Sequence, residues 1–334
     1  MQNWGWAESG AAQTSLFGPE PTIAGSEILP PGLTLPLRAY ARRPLAPPPM
    51  SDLTAQTQKA DVLLEALPYM QGFRGCTFLI KVGGSAMEDP VVVDQFLRDV
   101  VFLEAVGINP VIVHGGGKAI SKAMQESGLE ARFINGMRVT DEETIKIVEQ
   151  TLARVINPEI VSKINTFGGK AVGIPGTEVF QGQQMKAELG WVGEVTDCRL
   201  GLIQAAVAGE FVPVVSPVAR DLATGKTLNV NADLAACALA TRLQATKLIF
   251  LSDVRGVMRD PKDDSTLIPS LDEKSIAQLK AEGIISGGMI PKVDSSLESL
   301  RGGVGKVHLI DGRIPHALIL EIFTDRGIGT EIHL

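Results

Sequence analysis

Thr77-Phe78-Leu79-Ile80-Lys81-Val82-Gly83-Gly84 is an apolar run that closes on a glycine pair, with a lysine near its end and an Ala/Met/Glu/Asp segment after it. The run reads as a buried strand, the segment after it as the start of a helix, and the glycines as a place where backbone approaches a bulky ligand. A lysine at the carboxyl end of a strand, facing the amino end of a helix, stands where a phosphate binds. Taken alone, the stretch is equally well an ordinary tight turn with an exposed lysine.

Moving outward, residues 90–106 carry Val92, Phe96, Val100 and Leu103 at helical spacing. Residues 109–114 form a second apolar run, ending in Gly115-Gly116-Gly117 before a helix at 118–126. Two strand, glycine turn, helix units predict an α/β fold with a parallel sheet covered on both faces, whose ligands collect at the carboxyl ends of the strands. Neither turn has the GxGxxG of a dinucleotide fold or the GxxxxGK[ST] of a P-loop. A nicotinamide-dependent dehydrogenase and a Walker-type ATPase are both disfavoured.

Asn135-Gly136 between apolar residues signals a hairpin, with Arg138 on its return strand. That guanidinium is a candidate clamp for a carboxylate, against the commoner role of a surface or salt-bridged arginine. A helix follows over 141–156, with Thr140 as its expected cap. The Gly-rich segment 171–195 reads as strands joined by turns, 200–208 as a helix and 211–216 as a strand. Asn229-Val230-Asn231-Ala232-Asp233 leads into a helix over 234–243, where an Asn or Asp caps and Asp233 is placed to reach cations or lysines. A strand at 247–251 ends in Ser252-Asp253, a helix spans 272–281, and Gly287-Gly288-Met289-Ile290-Pro291-Lys292-Val293 opens another that runs to about 300. Lys292 in a first turn opposes the helix dipole by a few tenths to about 1 kcal/mol, which makes sense where an anion is held.

The remaining constraints are compositional. The chain has 334 residues, 45% of them hydrophobic, with net charge -7 and three scattered cysteines, Cys76, Cys198 and Cys237. The acidic balance argues against a nucleic-acid surface, the cysteine pattern against a disulfide framework, and the apolar runs fall short of the roughly twenty residues of a membrane span. A reducing cytoplasm fits. His114, His308, His316 and His333 lack metal-ligand spacing. Residues 1–49 hold nearly half the prolines and no sustained periodicity. This composition predicts a disordered tail, and Met50 is the expected biological start, which intact-mass measurement showing retained Met1 would refute. Residues 52–67 read as a helix capped by Ser51 and stopped by Pro68.

Taken in order and spacing, Ile80-Lys81-Val82-Gly83-Gly84, His114-Gly115-Gly116-Gly117, Asn135-Gly136-Met137-Arg138-Val139-Thr140, Asn229 to Asp233, Leu251-Ser252-Asp253-Val254 and the 287–293 motif resemble the amino acid kinase family, in its branch acting on N-acetyl-L-glutamate. The resemblance runs from about Phe78 to the carboxyl terminus. It implies an α/β fold with an open, mainly parallel sheet between helix layers, and transfer of the γ-phosphoryl of ATP to the side-chain carboxylate of N-acetyl-L-glutamate, with Mg2+ carried by the nucleotide phosphates. By that analogy Lys81 and Lys292 would flank the transferring phosphoryl, Asp233 would orient both, and Gly84 and Gly116 would bind the phosphoryl through backbone N–H groups. Gly116, Gly117, Arg138 and Asn229 would hold the acceptor, and Ser252, Asp253 and Lys292 the nucleotide. Residues 71–245 would form the acceptor lobe and 246–334 a nucleotide and arginine-sensing lobe. Arginine-sensitive members also imply an oligomerisation helix at 51–70, a homohexamer built as a trimer of dimers, and an L-arginine site at His316, Glu321, Gly327 and Gly329. A nitrogen-signalling PII protein would be a further partner. The competing readings are a sister kinase acting on aspartate, glutamate or carbamate, and a non-catalytic arginine-sensing protein.

Overall fold

Along the strand that begins at Thr77, Phe78, Ile80 and Val82 pack into one core and Leu79 into another, so the strand must be covered on both faces. The computed structural model describes residues 50–134 and 136–334, with Gln58–Leu334 as one unit; the tail at 1–49 and Asn135 lie outside the described residues. Helix α1 (Met50–Phe73) leads into β1 (Thr77–Val82), a 3-10 turn (Gly84–Met87), α2 (Pro90–Ala105), β2 (Asn109–His114) and α3 (Gly117–Glu126). The hairpin β3 (Phe133–Ile134) and β4 (Met137–Arg138) precedes α4 (Glu142–Thr151), a π-helical turn (Leu152–Ile156) and α5 (Asn157–Thr166). Then come β5 (Ala171–Ile174), α6 (Gly176–Val179), β6 (Phe180–Gln184), β7 (Val192–Cys198), α7 (Gly201–Ala208), β8 (Val212–Val215), β9 (Val218–Asp221) and β10 (Thr227–Val230). The chain closes with α8 (Ala232–Leu243), β11 (Lys247–Ser252), β12 (Ser270–Leu271), α9 (Glu273–Ala281), α10 (Met289–Arg301), β13 (Lys306–Asp311), α11 (Ala317–Ile322) and β14 (Thr330–Ile332).

Eight strands form one sheet in the order β12-β14-β13-β11-β1-β2-β8-β5, parallel throughout except where β13 meets β14. Alternate side chains of the central strands serve the two cores. Phe250 and Leu248 face α8, α9 and α10, whereas Ile249 and Leu251 face the side built by α2, α3, α5 and α11. The expected sandwich is therefore present. A four-stranded closed barrel, β10-β7-β6-β9, sits beside the sheet. The sequence predicts turns and strands there without predicting closure.

Three local expectations are corrected. Helix α1 does not stop at Pro68 but runs on to Phe73. Ala66, Tyr69, Met70 and Phe73 pack on the α2 and α11 side of the core, and this burial outweighs the roughly 3 kcal/mol that an internal proline costs. Asp141, not Thr140, caps α4: its carboxylate accepts from the Thr144 N–H at 2.8 Å. Thr140 is buried and donates its hydroxyl to the Arg138 carbonyl at 2.8 Å. The helix expected at 141–156 ends earlier as regular α-helix, passes through the π turn and resumes to Thr166.

Candidate active site

The Val82 and His114 ends of β1 and β2 lie in register, so their glycine turns meet at the carboxyl edge of the sheet. Gly83 and Gly115 pack against each other: a Cβ on Gly115 would lie 3.3 Å from the Gly83 Cα. Lys81 curls back over Gly83, where a Cβ would lie 2.7 Å from its Nζ. Gly83 thus leaves the room that the ammonium needs, a role which the sequence pattern did not assign.

Asp233 stands in the first turn of α8, whose cap is Asn231; the Asn231 Oδ1 accepts from the Asp233 N–H at 2.8 Å and the Leu234 N–H at 3.2 Å. Lys81 Nζ lies 2.7 Å from Asp233 Oδ1, and Lys292 Nζ donates to Oδ2 at 2.9 Å. The first contact is an ion pair without hydrogen-bond alignment. Burial alone would push the Asp233 carboxyl up, but the two ammonium charges outweigh it and hold it down at about 2. The two lysines, far apart in sequence, therefore share one carboxylate. Lys292 also lies over the Phe250 ring, 4.8 Å from its centroid, and Phe250 is the register partner of Lys81. That aromatic face helps to seat a cation at the amino end of α10, where the dipole opposes it.

A cavity of about 250 Å³ opens beside this centre, lined by Lys81, Asp233, Gly84, Gly115 to Gly117, Arg138 and Asn229, with Val192 and Gly193 from the barrel. Arg138 is buried, and burial pulls its guanidinium down from the usual value. It donates through Nη2 to the Gly117 carbonyl and the Ser121 hydroxyl, both at 2.8 Å, and its guanidinium lies over Phe133. Asn229 donates to the Thr140 Oγ1 at 3.1 Å, which leaves its carbonyl oxygen for a ligand. A larger recess of about 530 Å³ adjoins, sharing Gly84, Gly116, Gly117 and Arg138, but neither Lys81 nor Asp233 lines it. Lys292 lines neither cavity and reaches the smaller one through its bond to Asp233. At the carboxyl end of β11, the Ser252 hydroxyl is buried and has no partner among the described residues, and the Asp253 carboxylate lies 4.0 Å from where a Gly84 Cβ would stand.

A separate cavity of about 400 Å³ is lined by Tyr69, Phe73, Lys247, His308, Glu321 and the 327–329 turn. Glu321 accepts from His308 Nδ1 at 2.7 Å and from the Ile328 and Gly329 N–H groups at 2.7 and 3.1 Å. Burial keeps His308 below its usual value, and Lys247 Nζ meets its Nε2 at 2.8 Å. Glu321, Gly327 and Gly329 thus come together. His316 does not line this cavity: its Nδ1 pairs with the buried Asp99 at 2.7 Å.

Comparison with known proteins narrows the chemistry. The pattern that defines the Amino acid kinase family matches residues 77–311, which include both lysines, Asp233 and every glycine turn of the site. The chain belongs to the amino acid kinase family. An acetylglutamate kinase of Akkermansia muciniphila is 54% identical over 290 residues, covering 84% of this chain and 98% of that protein. The acetylglutamate kinase of Trichormus variabilis is 47% identical over 281 residues, covering 83% and 94%. Among solved structures, an N-acetylglutamate synthase of Neisseria gonorrhoeae, complexed with coenzyme A and N-acetyl-glutamate, superposes with a TM-score of 0.73 at 24% identity. It matches 82% of this chain, which spans 63% of that structure. A Giardia carbamate kinase superposes with a TM-score of 0.58 at 15% identity, covering 78% and 99%. These two likenesses are of fold alone. Among its described residues, no helix is long and apolar enough to cross a membrane.

Proposed function

We propose that this amino acid kinase transfers the γ-phosphoryl of ATP to the side-chain carboxylate of N-acetyl-L-glutamate, giving an acyl phosphate. The observation that carries the reading is the convergence of Lys81 and Lys292 on Asp233 beside the two glycine turns. Phosphoryl transfer through a loose transition state asks for positioning and charge stabilisation, and the acceptor carboxylate is ionised at neutral pH without a base. Lys81 and Lys292 would lie on either side of the transferring group. The N–H groups of Gly84 and Gly116 would bind its oxygens, Arg138 the acceptor's α-carboxylate and Asn229 its amide. Ser252 and Asp253 would face the nucleotide. Mg2+ would arrive on the ATP phosphates.

The 400 Å³ cavity is the proposed L-arginine site, with Glu321 as partner of the effector guanidinium. Leu63, Leu64 and Leu67 of α1, which fall on one side of the helix, are 62%, 63% and 41% exposed, and this apolar strip supports the hexamer reading. Coupled ATP turnover across N-acetyl-L-glutamate, aspartate, glutamate and carbamate tests the activity, with acetylglutamate expected to dominate. An arginine titration and a solution mass measurement test the rest. Turnover on another acid alone would refute the substrate, and a flat arginine response would refute the effector.

A further inference from the structure

We propose that His114 is a positioning residue for phosphoryl transfer, holding the Gly115 carbonyl through its Nδ1–H so that the Gly116 N–H is aimed into the catalytic cleft. The inference rests on the reading of Gly116 as a phosphoryl donor given above.

The geometry is a chain of three groups beneath the cleft. His114 is fully buried at the end of β2, and its Nδ1 lies 2.9 Å from the Gly115 carbonyl oxygen. Its Nε2 lies 3.3 Å from the Asn157 Nδ2, and the same amide nitrogen donates to the Val214 carbonyl at 2.8 Å. The bond to Val214 fixes which end of the Asn157 amide is the NH2 group. Asn157 can then only donate to Nε2, so the imidazole proton sits on Nδ1. Burial pushes the His114 imidazole down to about 4, which keeps it neutral in ordinary buffers.

The carbonyl of Gly115 and the N–H of Gly116 belong to one trans peptide plane and point in opposite directions. Anchoring the oxygen inward turns the N–H outward. Among the described residues the Gly116 N–H has no partner, whereas the Gly115 N–H donates to the Val82 carbonyl at 2.7 Å and the Gly116 carbonyl accepts from Ile120 at 2.9 Å. A peptide between two glycines meets little steric resistance to flipping, because neither flank carries a Cβ. His114 supplies the direction that the backbone does not. The space that a Gly116 Cβ would take is filled by Leu152 and Ile156 of the π turn, which also line the two adjoining cavities, and Asn157 follows directly from that turn. One irregular segment therefore packs the glycine and presents the amide that sets the tautomer.

The test uses the full chain with His114→Leu, which removes the donor, and His114→Asn, whose side-chain amide nitrogen replaces Nδ1. Misaiming one preorganised donor should lower kcat about 10- to 100-fold in His114→Leu with both KM values within about threefold, and His114→Asn should recover to within about fivefold of wild type. Crystal structures should show the 115–116 peptide turned in His114→Leu and native in His114→Asn. In selectively labelled wild type, the imidazole nitrogen shifts should place the proton on Nδ1, a readout that stands if the leucine variant does not fold. A His114→Leu kcat within twofold of wild type, equal losses in both variants that track lost thermal stability, or a proton on Nε2 would each overturn the proposal. Wild type that fails to phosphorylate N-acetyl-L-glutamate would instead sink the activity reading, while the peptide orientations and the tautomer still decide this one.

Discussion

Asp233 carries a charge that its burial opposes and its neighbours require. Its carboxyl is held at about 2 despite burial, by Lys81 and Lys292, so it is ionised throughout the range in which the acceptor carboxylate is ionised. The substitution Asp233→Asn puts an uncharged amide between two ammonium groups that then face each other; kcat should fall about 10²- to 10³-fold, measured by steady-state turnover, with the fold intact by circular dichroism. Lys81→Ala should cost a similar factor. Gly116→Ala acts differently. The new Cβ would lie 2.5 Å from Leu152 Cδ2 and 2.7 Å from Ile156 Cδ1, an overpacking that should cost about 1–3 kcal/mol, read as a lower urea midpoint. The lysines were legible because each stands close to a glycine pair, Lys81 at the end of β1 and Lys292 in the opening turn of α10. Gly83 and Phe250 were not, because their contacts join residues that no local pattern relates.

At the scale of elements, strands legible as apolar runs, β1, β2, β8 and β11, are those buried on both faces. β13 is buried almost throughout yet spells Lys306 to Asp311 with His308 inside, so its polar residues concealed a core strand. The barrel was concealed for another reason: β6 and β7 mix exposed and buried positions, and closure depends on pairings between β6 and β9 and between β7 and β10. Helix α8 ties element to site. Asn231 satisfies two N–H groups of its first turn, and Asn231→Ala should destabilise the protein by about 1 kcal/mol in urea titration and lower kcat, since Asp233 lies in that turn.

For the whole molecule, the buried histidines set an acid limit. Between pH about 6.5, where a His in the unfolded chain titrates, and about 4, where His114 titrates in the fold, the unfolded chain binds a proton that the native state refuses. Stability should thus fall with acid across that window by about 3 kcal/mol from His114, with His308 adding in the same direction. Urea unfolding at pH 7.5 and 5 checks this, and His114→Asn should lose its share of the difference. Below pH about 4 the carboxylates Asp233 and Glu321, both held low, begin to give up their own contribution.

The neighbour relations of β1 also bear on how the polypeptide emerges from the ribosome. Its β2 side can zip early, but its other flank waits for β11, roughly half the chain later. At roughly 5–20 residues per second, that interval lasts on the order of ten seconds or more. Throughout it, an apolar ribbon offers bare amides and carbonyls to any passing nascent chain. Yield in cells should therefore respond to translation speed and chaperone supply more steeply than the finished molecule's thermal resistance would suggest.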